Sequence, residues 1–344
     1  ASQVIGFVSS DNEGLYGLEA QYNEELEGTA GLVVTEKNAN GEDVLYKYEQ
    51  YYDAENGDSL VLTIDVNIQH YLEQALEDAV EKYDVSNGAT GIVMNVKTGA
   101  ILAMASLPNY DLNDPRTIYD ENLAAQLDGL EGDAYQEKLG ELQLLQWRNK
   151  AINDTYEPGS TFKILTLAMA LEEGLIDESS TFNCAGHINV EGWPKPMYCS
   201  KRSGHGQQTL AQAVANSCNP AFIQIGLKVG TDKFYQYVSD FGLLDTTGID
   251  LQGEGKGIFF DEEEFGKNVV SLASAAFGQT FNVTPIALIT AEAAAVNGGY
   301  LYEPYLVQQV LDSDGNVGYE HDSTPVRQVI SEETSERVCA LLEG

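Results

Sequence analysis

Basic side chains are scarce. The 344 residues hold 18 Lys and Arg against 54 Asp and Glu, a formal net charge of −36 at pH 7, so the field around the protein repels phosphate backbones and anionic lipid surfaces. Nucleic acid is therefore not an expected partner, and solubility is the plain use of such a charge. Long apolar runs are missing too: the longest, around residues 164–171, is less than half of the roughly 20 residues that a membrane-crossing helix needs. Cysteine occurs only at Cys184, Cys199, Cys218 and Cys339, too seldom for a disulfide scaffold but often enough for one bridge. There is no initiating Met, and the chain opens in mid-pattern at "ASQVIGF"; the expectation is a piece of something longer.

What is there divides into a small N-terminal stretch and a large remainder. Residues 1–58 mix Gly, Tyr and acidic residues with the β-prone runs "GLVVT" and "VLYKYEQYY" and an Asn40-Gly41 turn, which predicts a small β-rich lobe ending near Asn56-Gly57. "SLVLTIDVNIQHYLEQALEDAVEKY" then reads as a strand, an Asp65 N-cap and a helix with Ile68, Leu72, Ala75, Leu76, Ala79, Val80 and Tyr83 on one face. Two apolar strands follow, "TGIVMNV" and "AILAMAS", and the Lys97-Thr98-Gly99 between them has the Gly-ended form of a hairpin turn. Residues 120–146 are acidic with Leu at helical spacing, a surface excursion, and helical patterns are expected to dominate from 160 to about 242. A second hairpin is expected to turn at Asp314-Gly315, and Ser331 to cap a final helix.

The chemistry-bearing motifs are short, so context has to decide. With 19 Ser and 13 Lys, Ser-x-x-Lys is expected by chance about 0.7 times. The single instance is Ser160-Thr-Phe-Lys163, placed after a Pro158-Gly159 break and at the head of a run that is apolar nearly all round. A serine there lies where the helix dipole favours developing negative charge, and Lys163 shares its face one turn on. Burial lowers a lysine pKa and makes it a competent general base; the plain reading is a capping Ser and a Lys that reaches out to solvent. Ser217-Cys218-Asn219 sits between "TLAQAVANS" and a Pro220-initiated helix, a tight connection that presents both polar side chains to one cavity. Ser10-Asp11-Asn12 has the same spacing but no helix before it and reads as a loop.

Cys184 and Cys199 flank a loop with Gly and Pro, with His187 and His205 nearby. Three readings fit: a disulfide, free thiols, or a Cys-x2-His zinc site, the last weakened by the lack of closely spaced pairs on both sides.

Together "YEPGSTFK", "HGQQTLAQAVANSCNPAF", "FGQTFNVTPIALITAEAAAVNGG", "LTIDVNIQ" with "KTGAILAMAS", and "GLYGLEAQYNEELEGTAG" resemble, in order and over nearly the whole chain, the landmarks of class B penicillin-binding proteins. The resemblance implies an α+β fold of the penicillin-binding and serine β-lactamase type: a helical lobe plus a partial antiparallel sheet. A remnant of a non-catalytic pedestal would occupy 1–58, and the transpeptidase domain 59–344. It implies peptidoglycan D,D-transpeptidation through a serine acyl-enzyme, with Ser160 as nucleophile, Lys163 as its base, Ser217 as proton relay and Asn219 orienting the peptide. Expected partners are stem peptides ending in D-Ala-D-Ala, β-lactams and membrane-embedded wall-synthesis proteins on the extracytoplasmic face of the bacterial membrane. No cofactor or metal is expected. In the family a Lys-Thr-Gly strand follows the other two motifs, so Lys97-Thr98-Gly99 is expected to be a turn. The third motif would lie past residue 344, leaving this stretch alone slow to acylate. A penicillin sensor or serine β-lactamase, or a non-catalytic scaffold, are the alternatives.

Overall fold

The computed structural model describes residues 1–34 and 50–343. The expected Asn40-Gly41 turn and most of the 44–52 run lie outside them. Among the described residues, helices combine with short antiparallel ribbons, an α+β arrangement.

The larger core gathers around the helix Lys163–Glu172, whose apolar composition predicts burial on every side and which is so buried. The helices Asn219–Val229, Pro285–Val296 and Glu332–Glu343 pack against it. Ser331 caps the last of these, its hydroxyl accepting from the Thr334 N–H at 3.2 Å.

The helix Val66–Tyr83 begins as its sequence predicts, with the Asp65 carboxylate accepting from the N–H groups of Asn67 and Ile68. It lies on the hairpin Thr90–Met94 and Ile101–Ser106. Ile68, Leu72, Leu76, Ala79 and Val80 are half-buried there, whereas Ala75 and Tyr83 face solvent, so the apolar stripe is narrower than the pattern suggested. Gln69, outside that stripe, is buried: its side-chain amide donates to the Met104 carbonyl and accepts from the Met104 N–H, as a neighbouring strand's peptide would. At the tip of the hairpin the N–H groups of Thr98 and Gly99 both donate to the Asn95 carbonyl, Gly99 takes φ 80°, and Lys97 is exposed. Lys-Thr-Gly is a turn here.

A three-stranded sheet in the order Val317–Glu320, Val307–Leu311, Ser59–Leu62 meets this hairpin. The Thr63 hydroxyl donates to the Ile101 carbonyl, and the Tyr305 carbonyl accepts from the Ile101 N–H. The expected turn at Asp314-Gly315 is present, with Gly315 at φ 84°.

Two regions depart from expectation. Residues 1–34 hold the short helices Ser2–Ile5, Gly17–Gln21 and Asn23–Leu26, and a single ribbon joins Leu32–Val34 to Gln50–Tyr52. Among its described residues the stretch therefore mixes helix and strand. Its shape depends on a crossing where a Cβ on Gly6 would overlap the Tyr16 carbonyl, a close approach that only glycine permits. This stretch is fastened to the large body: Ser2 and Gln3 donate to backbone carbonyls of Tyr110, Pro108 and Gln146. The Asp250 carboxylate accepts from the Tyr22 hydroxyl and from the N–H groups of Leu306 and Val307. The second departure is 181–209, which forms two ribbons, Thr181–Cys184 with Gly206–Thr209 and His187–Ile188 with Met197–Tyr198, within a span where helical patterns were expected to dominate around a loop between Cys184 and Cys199. Gly186, Gly192, Gly204 and Gly206 all take positive φ, which no helix accommodates.

Candidate active site

Ser160 stands exposed on the 3-10 turn Gly159–Phe162 that leads into the helix Lys163–Glu172. The turn is held from the side by "FGQT": the Gly159 N–H donates to the Gly278 carbonyl at 2.8 Å, and a Cβ on Gly278 would overlap the Gly159 backbone. Lys163 follows one turn on and is only 4% exposed.

Its ammonium nitrogen meets four oxygens. Nζ lies 3.1 Å from Ser160 Oγ, 3.0 Å from Ser217 Oγ, 2.8 Å from the Ser217 carbonyl and 2.7 Å from Asn219 Oδ1. Burial lowers the Lys163 pKa to about 8, bringing the neutral amine within reach near neutral pH. The neutral form has two N–H bonds and one lone pair. The carbonyl and the amide oxygen are acceptors only, so they take the N–H bonds, and the lone pair faces the two serine hydroxyls. That is the geometry of a base able to take a proton from Ser160 and pass it through Ser217.

Ser217 reaches this position through its backbone. It follows the helix Leu210–Ala215, which opens with a Thr209/Gln212 capping box, and precedes the helix Asn219–Val229 with Pro220 in its first turn. Between them Ser217 takes φ 46°, the left-handed region, at a cost of about 1–2 kcal/mol for a residue with a Cβ. Asn219 is oriented from both ends, its Oδ1 on Lys163 and its Nδ2 donating to the Tyr198 carbonyl at 3.1 Å.

All four residues singled out from the sequence thus converge. Lys97 is not among them, and Ser10-Asp11-Asn12 is a tight turn between the bridged residues Val8 and Gly14. Three contributors were not foreseen: the Tyr198 carbonyl, Gly278 and Glu292. Glu292 lies on the helix Pro285–Val296 near Thr161. Burial pushes its carboxyl up to about 7, against a hydrogen bond with Thr161, and Oε1 has no hydrogen-bond partner among the described residues. A lone Glu in "ITAEAAAV" was the visible signal.

Cys184 and Cys199 carry no bridge. Their sulfurs, that of Cys218 and a ring nitrogen of His205 lie within 4.8 Å of one another. His187, the histidine of the Cys-x2-His reading, is exposed beside the Tyr198 ring instead.

The sequence pattern of the penicillin binding protein transpeptidase domain matches residues 89–344, and that of the penicillin-binding protein dimerisation domain matches residues 2–62. Stage V sporulation protein D of Bacillus subtilis is 40% identical over 346 aligned residues, covering 100% of this chain and 49% of the relative. The chain spans about half the length of the curated relatives it matches. Among solved structures, the D,D-transpeptidase domain of a peptidoglycan glycosyltransferase from Eggerthella lenta is 27% identical with a TM-score of 0.76, over 99% of this chain and 72% of that one. Penicillin binding protein 3 of Mycobacterium tuberculosis, complexed with aztreonam, is 25% identical with a TM-score of 0.77, over 99% and 66%. The chain belongs to the penicillin-binding protein transpeptidase family, and its two matched segments mark it as class B.

Proposed function

We propose that the protein cross-links peptidoglycan as a serine D,D-transpeptidase and is acylated by β-lactams. The observation that carries this reading is the position of Lys163 Nζ, within 3.1 Å of both Ser160 Oγ and Ser217 Oγ. Ser160 Oγ attacks the penultimate D-Ala carbonyl of a stem peptide while Lys163 takes its proton. The C–N bond to the terminal D-Ala then breaks, and the proton returns through Ser217 to the departing amine. An amine from a second strand attacks the ester, frees Ser160 and completes the cross-link. Asn219 holds the donor peptide by its amide. A β-lactam enters by the same attack and leaves a long-lived ester. The substrate places the work on the extracytoplasmic face of the bacterial membrane, beside membrane-embedded wall-synthesis proteins. Among the described residues no helix is long and apolar enough to cross a membrane.

The test is a fluorescent penicillin followed by peptide mass mapping. A stable adduct on the peptide containing Ser160, absent in Ser160→Ala, is the expected result. Rapid loss of the label would favour a β-lactamase-like hydrolase, and no adduct on folded protein would favour a scaffold.

A further inference from the structure

A second cluster adjoins the first, and the acyl-transfer chemistry uses none of its side chains. Cys184 ends the strand Thr181–Cys184, Cys199 follows Met197–Tyr198, His205 precedes Gly206–Thr209, and Cys218 stands between Ser217 and Asn219. The three cysteines are buried and His205 is half-buried. Cys199 Sγ is 3.7 Å from His205 Nδ1, and one ligand atom from each of the four residues falls within 4.8 Å of every other.

We infer that Cys184, Cys199, His205 and Cys218 bind one zinc ion in a closed tetrahedral site of three thiolates and one imidazole. In such a site, with Zn–S bonds of about 2.3 Å, the sulfurs stand about 3.8 Å apart. The present spread is only slightly wider, within reach of small side-chain rotations. Three soft thiolates and an imidazole, with all four positions filled from the protein, are the donor set zinc takes in structural sites. Packing alone requires no such convergence, since a buried thiol is equally served by an aliphatic neighbour. A disulfide would use two sulfurs and leave the third, with the imidazole, unexplained.

Burial works against charged sulfur here, most of all at Cys218, and donors directed at the sulfurs oppose it. The backbone N–H groups of Lys201 and Asn219 are directed at Cys199 Sγ, and that of Ala221 at Cys218 Sγ. Gln208 is 3% exposed, its Nε2 has no oxygen acceptor among the described residues, and its side chain is directed at Cys218. A thiol is a weak acceptor for such a buried amide. A zinc-bound thiolate is a strong one, and outer donors of this kind are the usual support of ligating sulfur.

The ion would brace the active site without entering the reaction. Cys218 is flanked by Ser217 and Asn219, which supply three of the four oxygens around Lys163 Nζ. Asn219 also donates from Nδ2 to the carbonyl of Tyr198, the residue before Cys199. Zinc therefore fixes the connection whose left-handed Ser217 aims those oxygens.

Metal analysis of the reduced protein, purified without chelators or metal-affinity resin, tests this directly. One zinc per chain is expected. After stripping, cobalt(II) should give the ligand-field bands of a tetrahedral site and a thiolate-to-cobalt charge-transfer band. Cys184→Ser and His205→Ala should each lower zinc affinity about 10- to 100-fold or more, while Cys339→Ser leaves zinc at one per chain. If a variant fails to fold by circular dichroism, the wild-type cobalt spectrum still decides. Reduced, folded wild type with no bound zinc, or a cobalt complex without the thiolate band, overturns the proposal. So would full zinc binding in folded Cys184→Ser and His205→Ala. Metal content does not depend on acylation, so this inference and the transpeptidase reading can fail separately.

Discussion

The Lys163 ammonium nitrogen lies 2.8 Å from the backbone carbonyl of Ser217, a residue held at φ 46°. The base we propose is thus positioned partly by a peptide group in a conformation that a side chain disfavours. Ser217→Gly and Ser217→Ala separate the two contributions. Both lose the hydroxyl, so both should slow penicillin acylation by about 10²-fold or more. Only Gly relieves the backbone, so Ser217→Gly should be more stable than Ser217→Ala by about 1 kcal/mol in urea unfolding. Equal stability would show that φ 46° carries no cost.

Lys163→Met keeps an apolar stem in the same buried space and removes the amine. Acylation should fall by about 10²- to 10⁴-fold with the circular dichroism spectrum unchanged. Acylation within tenfold of wild type would mean that another group accepts the Ser160 proton.

Glu292 provides a stability test with a defined sign. Burial raises its carboxyl from 4.5 to about 7, so between these values the folded protein binds more protons than the unfolded chain. Its contribution to stability is full below about pH 4.5 and is lost as pH rises through about 7. Urea midpoints measured across that range should show a decline with rising pH that flattens in Glu292→Gln. An unchanged slope in the variant would assign the effect elsewhere.

Gly278→Ala would push a methyl group into the Gly159 backbone and requires φ 82°. The expected cost is about 1–3 kcal/mol, accompanied by slower acylation, since the displaced turn carries Ser160. Gly174→Ala, with open space around it, should lose stability with little change in acylation rate. Thermal unfolding and penicillin labelling of the two variants distinguish packing from backbone effects.

Lys97→Ala should leave acylation within about twofold of wild type. Its turn was legible because a hairpin connection is a local event, set by Gly99 and two flanking apolar runs; the Asp65 and Ser331 caps were legible for the same reason. That Ser160 and Ser217 meet could not be read locally, because Lys163 bonds to residues 54 and 56 positions away. Only the family resemblance supplied it. The ribbons at 181–209 were overlooked although Thr181–Cys184 alternates exposed and buried residues, a period-two signal four residues long. By spacing Cys218 is the middle of Ser-x-Asn, and His187 is the partner of Cys184 in the zinc reading alone. Which histidine faces the sulfurs depends on the paths of those ribbons, which spacing alone does not reveal.

Asp250 accepts from the Tyr22 hydroxyl and from two successive N–H groups at Leu306 and Val307, so one carboxylate rivets the N-terminal stretch to the central strand of the three-stranded sheet. The preceding Tyr305 carbonyl holds Ile101 of the hairpin. Load applied near residue 22 therefore passes through this carboxylate into the sheet, alongside the apolar packing of Val4, Leu18 and Tyr22, and in an optical-trap pull from the N-terminal side Asp250→Ala should lower the first rupture force.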